Sequence, residues 1–222
     1  MKLLRNFAAI AIAVFLTTNA YAQFSAIGIH ARVSDMANSE ANGGGSSALI
    51  GINAGGVNNW SVNQWDLSSI EGRTVTEVTL TFAVARGFTN ANHGSALDTI
   101  SVHELFDANA GWTAGTGGIN STNVETGGAV TFNFQSQTSE TEGVAWRDAN
   151  GDDVPNFLGA FDQTAIDSVD GYAQGEGPEL VEYTIPIALA QSWVDDPASF
   201  AGLVLVSNDN GDSLGRFNFF LN

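Results

Sequence analysis

Along most of the chain, apolar and polar residues alternate one for one, the period of a β-strand with one buried face. Ile27, Ile29, Ala31 and Val33 mark a first strand, and Val78, Leu80, Phe82 and Val84 a stronger one inside VTEVTLTFAVA. The period recurs at Ala48, Ile50 and Ile52, at Ile100 and Val102, and at Val130, Phe132 and Phe134. It returns at Val181, Tyr183, Ile185 and Ile187, from Leu203 to Val206, and at Phe217, Phe219 and Leu221. Between these runs lie ANGGGSS, NAGGVNN and NAGWTAGTGG, whose Gly and Asn residues accept the positive φ angles of tight turns. Only LAQSWVDD and DLSSIEG look helical, each as a single turn. Eight to ten strands joined by such loops predict an all-β fold, an antiparallel β-sandwich of jelly-roll type in which each strand faces the core on one side only.

The N-terminal segment breaks this pattern. Lys2 and Arg5 precede the apolar run Phe7–Leu16, and the small-x-small triplet Ala20-Tyr21-Ala22 follows. That order predicts a secretory signal peptide over residues 1–22, cleaved before Gln23, with residues 23–222 forming a single domain. The apolar run is too short to span a bilayer, so no membrane attachment is expected after cleavage. The predicted location is extracellular, including the periplasm or the cell surface.

Charge narrows the partners. The chain carries 7 basic and 24 acidic residues, a formal net charge of −17. Loss of Lys2 and Arg5 with the leader leaves five basic residues against 24 acidic ones, −19, and no lysine. Nucleic acid and anionic lipid surfaces would repel such a protein. The absence of cysteine excludes disulfide scaffolds and thiolate metal sites. So acidic a surface suits solubility, and equally an environment rich in salt or divalent cations.

Three segments resemble one family. WDLSSIEGRTVTEVTLTF is similar to the FDLSSIP-type block of the disaggregatase-related (DNRLRE) domains, and ISVHELFDANAGWTAGTGG to the strand and Trp-containing loop that follow it. YTIPIALAQSWVDDPASFAGLVLVS resembles the closing pattern of a strand, a V-Q-x-W turn and a glycine-led apolar strand. Together the blocks cover most of the chain from about Ser25 to Phe220, with a longer stretch than the pattern has between about Glu125 and Glu182. The resemblance implies a secreted β-sandwich related to carbohydrate-binding modules, non-catalytic, of a kind attached to polysaccharide-active or cell-surface proteins.

Two local constellations are candidates for binding. In WRDANGDDVPNF, Asp148, Asn150 and Asp152 with the Val154 carbonyl and Asn156 follow the one-three-five-seven-nine spacing of a loop that wraps Ca2+. Asp153 stands where such a loop has glycine and Gly159 where it has a bidentate Glu, and strings of Asp, Asn and Gly also form plain turns, so both readings stay open. Eleven of the 24 acids fall between Glu140 and Glu182 with Arg147 as the one basic residue there, a repulsion that a cation or salt would offset. If the loop holds calcium, EDTA lowers the melting temperature.

Aromatic residues are the second signal, because sugar-binding modules stack pyranose faces on exposed rings. Trp60, Trp146, Arg147 and Tyr172 are the candidate ligand-binding residues. Strand parity sets Trp60 with Val62 on one face and Trp65 on the other, so one of the two tryptophans should face outward. Trp112 and Trp193 fall in the resemblance blocks and read as core or turn anchors. His30, His93 and His103 form no zinc motif.

No G-x-S-x-G string is present, and neither Cys nor, after cleavage, Lys is available as a nucleophile, so the chain does not read as an enzyme. The expected function is non-catalytic binding of extracellular polysaccharide or cell-surface glycan, with calcium as the candidate cofactor. The alternative is an extracellular structural or assembly protein that self-associates through sheet edges, a surface, matrix or filament subunit.

Overall fold

The computed structural model of the chain describes residues 12–14, 28–35, 47–52, 57–89, 99–114, 130–139, 141–170, 179–208 and 215–220. Within them lie β1 (Ile12–Val14), β2 (Gly28–Ser34), β3 (Ser47–Ile52), β4 (Asn58–Trp65), β5 (Val78–Thr89) and β6 (Thr99–Glu104). The series continues with β7 (Phe134–Gln137), β8 (Gly143–Arg147), β9 (Asp153–Val154), β10 (Asp167–Asp170) and β11 (Glu179–Thr184), then helix α1 (Ile187–Asp195), β12 (Leu203–Asn208) and β13 (Gly215–Phe220). The fold is all-β, and its strand pairings are antiparallel.

Ten strands join in the order β1-β5-β13-β3-β4-β12-β6-β10, with β11 added to β5 and β2 to β4. The sheet doubles over at the β3–β4 pair, where Gly51 opposite Asn59 has φ 89°, a value that glycine adopts without strain. One layer then holds β11, β5, β13 and β3, and the other β2, β4, β12, β6 and β10. Their facing sides share a core in which Leu80, Phe82, Val181 and Tyr183 meet Trp65, Ile100, Val102, Leu203 and Leu205. Alternation predicts this face directly: Val78, Leu80 and Phe82 of β5, Ile100 and Val102 of β6, Val181 and Tyr183 of β11, and Leu203 and Leu205 of β12 are all buried.

Helix α1 closes one end of this core. Its predicted single turn is a nine-residue helix that starts after Pro186 and buries Ala190, Trp193 and Val194. DLSSIEG becomes a 3-10 turn at Ser68–Ile70. The two segments are tied together: Gly72 donates its N–H to the Val194 carbonyl, and the Gln191 side chain accepts from Val75 N–H and donates to the Arg73 carbonyl. The first and third resemblance blocks therefore pack on each other. Trp112, from the second block, donates to the Ala201 carbonyl at 2.7 Å.

The expectation that each strand faces the core on one side only is corrected for the second layer. Its outer face carries Ala31, Val33, Trp60, Val62 and Val204, and these form a second core with Leu105, Trp112, Trp146, Phe157 and Phe161. The cover is the small sheet β7-β8-β9 with the 3-10 turns at Asp107–Asn109 and Phe157–Gly159. That small sheet lies within the stretch that is longer than the family pattern. Val130 and Phe132, predicted in a strand with Phe134, precede β7 instead: Thr131 N–H turns back to the Phe134 carbonyl, and the extended pairing begins only at Phe134.

The short strand β1 lies inside the predicted leader and pairs with Val78–Leu80 of β5. No helix among the described residues is long and apolar enough to cross a membrane.

Candidate functional site

The second core decides the fate of the predicted aromatic platform. Trp146 is fully buried, its indole N–H donates to the Thr131 carbonyl at 2.9 Å, and its ring meets Phe157 edge-on at 5.0 Å. Trp60 is 8 % exposed, stacked on Phe132 at 5.7 Å and tilted against Phe157 at 5.9 Å. Neither ring offers a face to a sugar, which corrects the assignment of both as ligand-binding residues. The parity that separates Trp60 from Trp65 holds, but it separates them into two cores rather than into core and solvent. Arg147 does reach the surface, where its Nε lies 3.5 Å from Asp153 Oδ1 across the β8–β9 pair. Tyr172 lies outside the described residues.

The Asp148–Asn156 segment is a hairpin followed by a cap. Asp148 N–H donates to the Asp152 carbonyl and Gly151 N–H to the Asp148 carbonyl, with Gly151 at φ 81°, closing a short turn between β8 and β9. Asp148 Oδ1 accepts from the amides of Asn150 (2.8 Å) and Asp152 (3.0 Å). These bonds, from Asp152 and then Asn150, hold its carboxyl below the ordinary Asp range. Val154 pairs with Trp146, and Asn156 Oδ1 caps the next turn by accepting Leu158 N–H. The oxygens that calcium would need at the first and last of these positions are thus engaged with backbone amides. No group of three or more His, Asp or Glu that could hold a metal is found among the described residues. The first and last positions of the predicted loop serve, in this geometry, the hairpin and the cap that follows it.

One hydrogen-bonded chain escaped the sequence reading. His103 Nε2 and Ser101 Oγ are 2.8 Å apart, and His103 Nδ1 lies 2.8 Å from the Asp162 carbonyl. The signal was present in the Ser-x-His alternation, which sets both side chains on one face of β6. Both are buried beneath Phe161, whose ring meets the imidazole edge-on at 5.6 Å. Burial keeps the imidazole pKa below its ordinary value. A serine with no exposed surface cannot attack a substrate, so this pair ties β6 to the 162 turn and is structural.

What does face solvent is a groove of about 330 Å3 at the other end of β4, lined by Ile29, Gln64, Trp65, Asp66, Leu67, Pro197 and Ala198. Trp65 ends β4 and points toward the first core, stacked at 6.4 Å on Phe200 and tilted against Phe82 at 6.2 Å. Opposite it on β2 stands Gly28. A Cβ there would come within 2.7 Å of Trp65 Nε1 and 2.8 Å of its Cδ1, so glycine lets β2 lie close against that edge of the indole. The indole N–H groups of Trp112, Trp146 and Trp193 donate to Ala201, Thr131 and Glu104, whereas the Trp65 ring lines the groove.

The rest of the groove supplies complementary chemistry. Asp66 is exposed and turns with Ser68, whose hydroxyl and amide keep the carboxyl below the ordinary Asp range, so it is ionised at neutral pH. Gln64 is held by donation to the Phe200 carbonyl at 2.6 Å. Ile29, Leu67 and Pro197 give apolar walls. Ile29 is 45 % exposed although the alternation marks it as a core residue: β2 runs past the edge of the covering small sheet, and its first apolar residue borders the groove instead. An indole, one carboxylate and apolar walls thus meet in a cleft at the small end of ligand-site volumes.

The chain matches no protein-family model, no curated protein and no solved structure.

Proposed function

We propose that this chain is a secreted, non-catalytic β-sandwich protein that binds extracellular polysaccharide or cell-surface glycan, and that the contact is made in the Trp65–Asp66 groove. The observation that carries the reading is a groove that brings the Trp65 indole together with the Asp66 carboxylate and apolar walls. A sugar ring offers the matching groups: hydroxyls that accept from the indole and donate to Asp66, and a C–H face for Ile29, Leu67 and Pro197. The resemblance to the disaggregatase-related domains and the leader-like N-terminus support the same reading. Affinity electrophoresis through gels containing neutral polysaccharides tests it. Retardation that is lost in Trp65→Phe and in Asp66→Ala, with the fold unchanged by circular dichroism, is the expected result. Migration unaffected by any polysaccharide refutes the reading.

A second reading, self-association through a sheet edge, is favoured by β1. Three residues of the predicted leader occupy the Val78–Leu80 edge of β5, so a chain trimmed before Gln23 would have that edge to offer to another strand. Size-exclusion chromatography of the trimmed chain tests it. A strict monomer at all concentrations removes this reading.

A further inference from the structure

The groove has a charge preference that follows from its own residues. Among the described residues of its lining Asp66 is the one ionisable side chain. The Pro197–Ala198 wall follows directly on Asp195 and Asp196, both exposed, and the chain as a whole carries −17. A uronate carboxylate or a sulfate ester brought within hydrogen-bond range of Asp66 would set like charges against each other at contact distance, under a field of the same sign. A hydroxyl meets Asp66 as a neutral donor, and a protonated amine meets it as a charge-assisted one. We propose that the Trp65 groove takes saccharides free of anionic groups and holds an amino sugar more tightly than its hydroxyl counterpart. The inference rests on the groove binding a saccharide at all, and it adds the chemical class.

The test follows the groove itself rather than bulk adhesion. The protein is labelled with 15N and the indole N–H resonance of Trp65 is identified by its loss in Trp65→Phe. Methyl glucoside and methyl galactoside are each titrated alongside their 2-amino and C6-carboxylate counterparts, at physiological and at high salt. The expected order of affinity is amine, hydroxyl, carboxylate, with at least about tenfold between the first and the last. In Asp66→Asn the ratio of amine to carboxylate affinity shrinks to about threefold or less, whatever the change in affinity for the neutral sugars. Carboxylate sugars binding as well as neutral ones, or an order unchanged in Asp66→Asn, overturn the charge preference and leave saccharide binding standing. A Trp65 signal that no sugar moves overturns both.

Discussion

Trp146→Ala is the sharpest test of the second core, because the sequence pattern alone would make it a surface change. In the structure the indole is fully buried between the outer face of the second layer and the small β7-β8-β9 sheet. A buried tryptophan hides roughly 150–250 Å2, and truncating a large aromatic in a core costs about 3–5 kcal/mol. The Thr131 carbonyl that accepts its N–H loses its partner, adding about 1 kcal/mol or more. The sum, about 4–6 kcal/mol, compares with a total stability of about 5–15 kcal/mol for a typical domain. For a protein of this size it corresponds to a fall in Tm of about 8–24 °C. Urea unfolding followed by far-UV circular dichroism measures the loss, since the tryptophan signal is itself altered. Trp146→Phe keeps most of the ring and gives up the hydrogen bond, so it should lose about 1–2 kcal/mol. Stability of Trp146→Ala within about 1 kcal/mol of the parent would refute the packing, and with it the third layer.

Other consequences are open to measurement. Gly202 has φ 115° and a Cβ there would run into the Asn63 carbonyl oxygen, so Gly202→Ala should destabilise by at least about 2 kcal/mol in the same urea assay. The hairpin at Asp148 closes on its own backbone bonds, so EDTA should leave the melting temperature unchanged while Asp148→Ala lowers it by a few degrees. A melt that drops with EDTA and recovers with Ca2+ would reinstate the calcium loop. His103 is held neutral by burial, with its pKa below 6.5; its contribution to stability is complete above pH 6.5 and is lost as the pH falls below that value toward the folded pKa. Urea midpoints measured down through that range should fall in the parent, and less steeply in His103→Gln. Glu104 works the other way. Burial raises its carboxyl above 4.5, so acidification through the raised value toward 4.5 adds stability, and Glu104→Gln should remove that gain.

The alternation of apolar and polar residues was enough to place the strands that build the first core, because a strand's side chains take opposite faces whatever it packs against. It was enough, too, to set Trp60 and Trp65 on opposite faces of β4. Trp112 and Trp193, which fall in the resemblance blocks and read as core or turn anchors, are both buried, Trp193 in α1. What period two cannot say is whether the second face of a strand meets water or another layer. That was decided by residues more than 70 positions away, when β7, β8 and β9 folded over Trp60 and turned Trp146 inward. The same limit applies to the loop at Asp148. Its composition allows either a cation or a turn, and the choice falls to the backbone amides that the β8–β9 pairing brings to its carboxylate. The groove at Trp65 was invisible in the sequence because its lining comes from three separate segments, Ile29, Gln64 to Leu67, and Pro197 with Ala198, that only the fold brings together. Local periodicity is a property of neighbouring residues, whereas exposure belongs to whatever the rest of the chain lays on top of them.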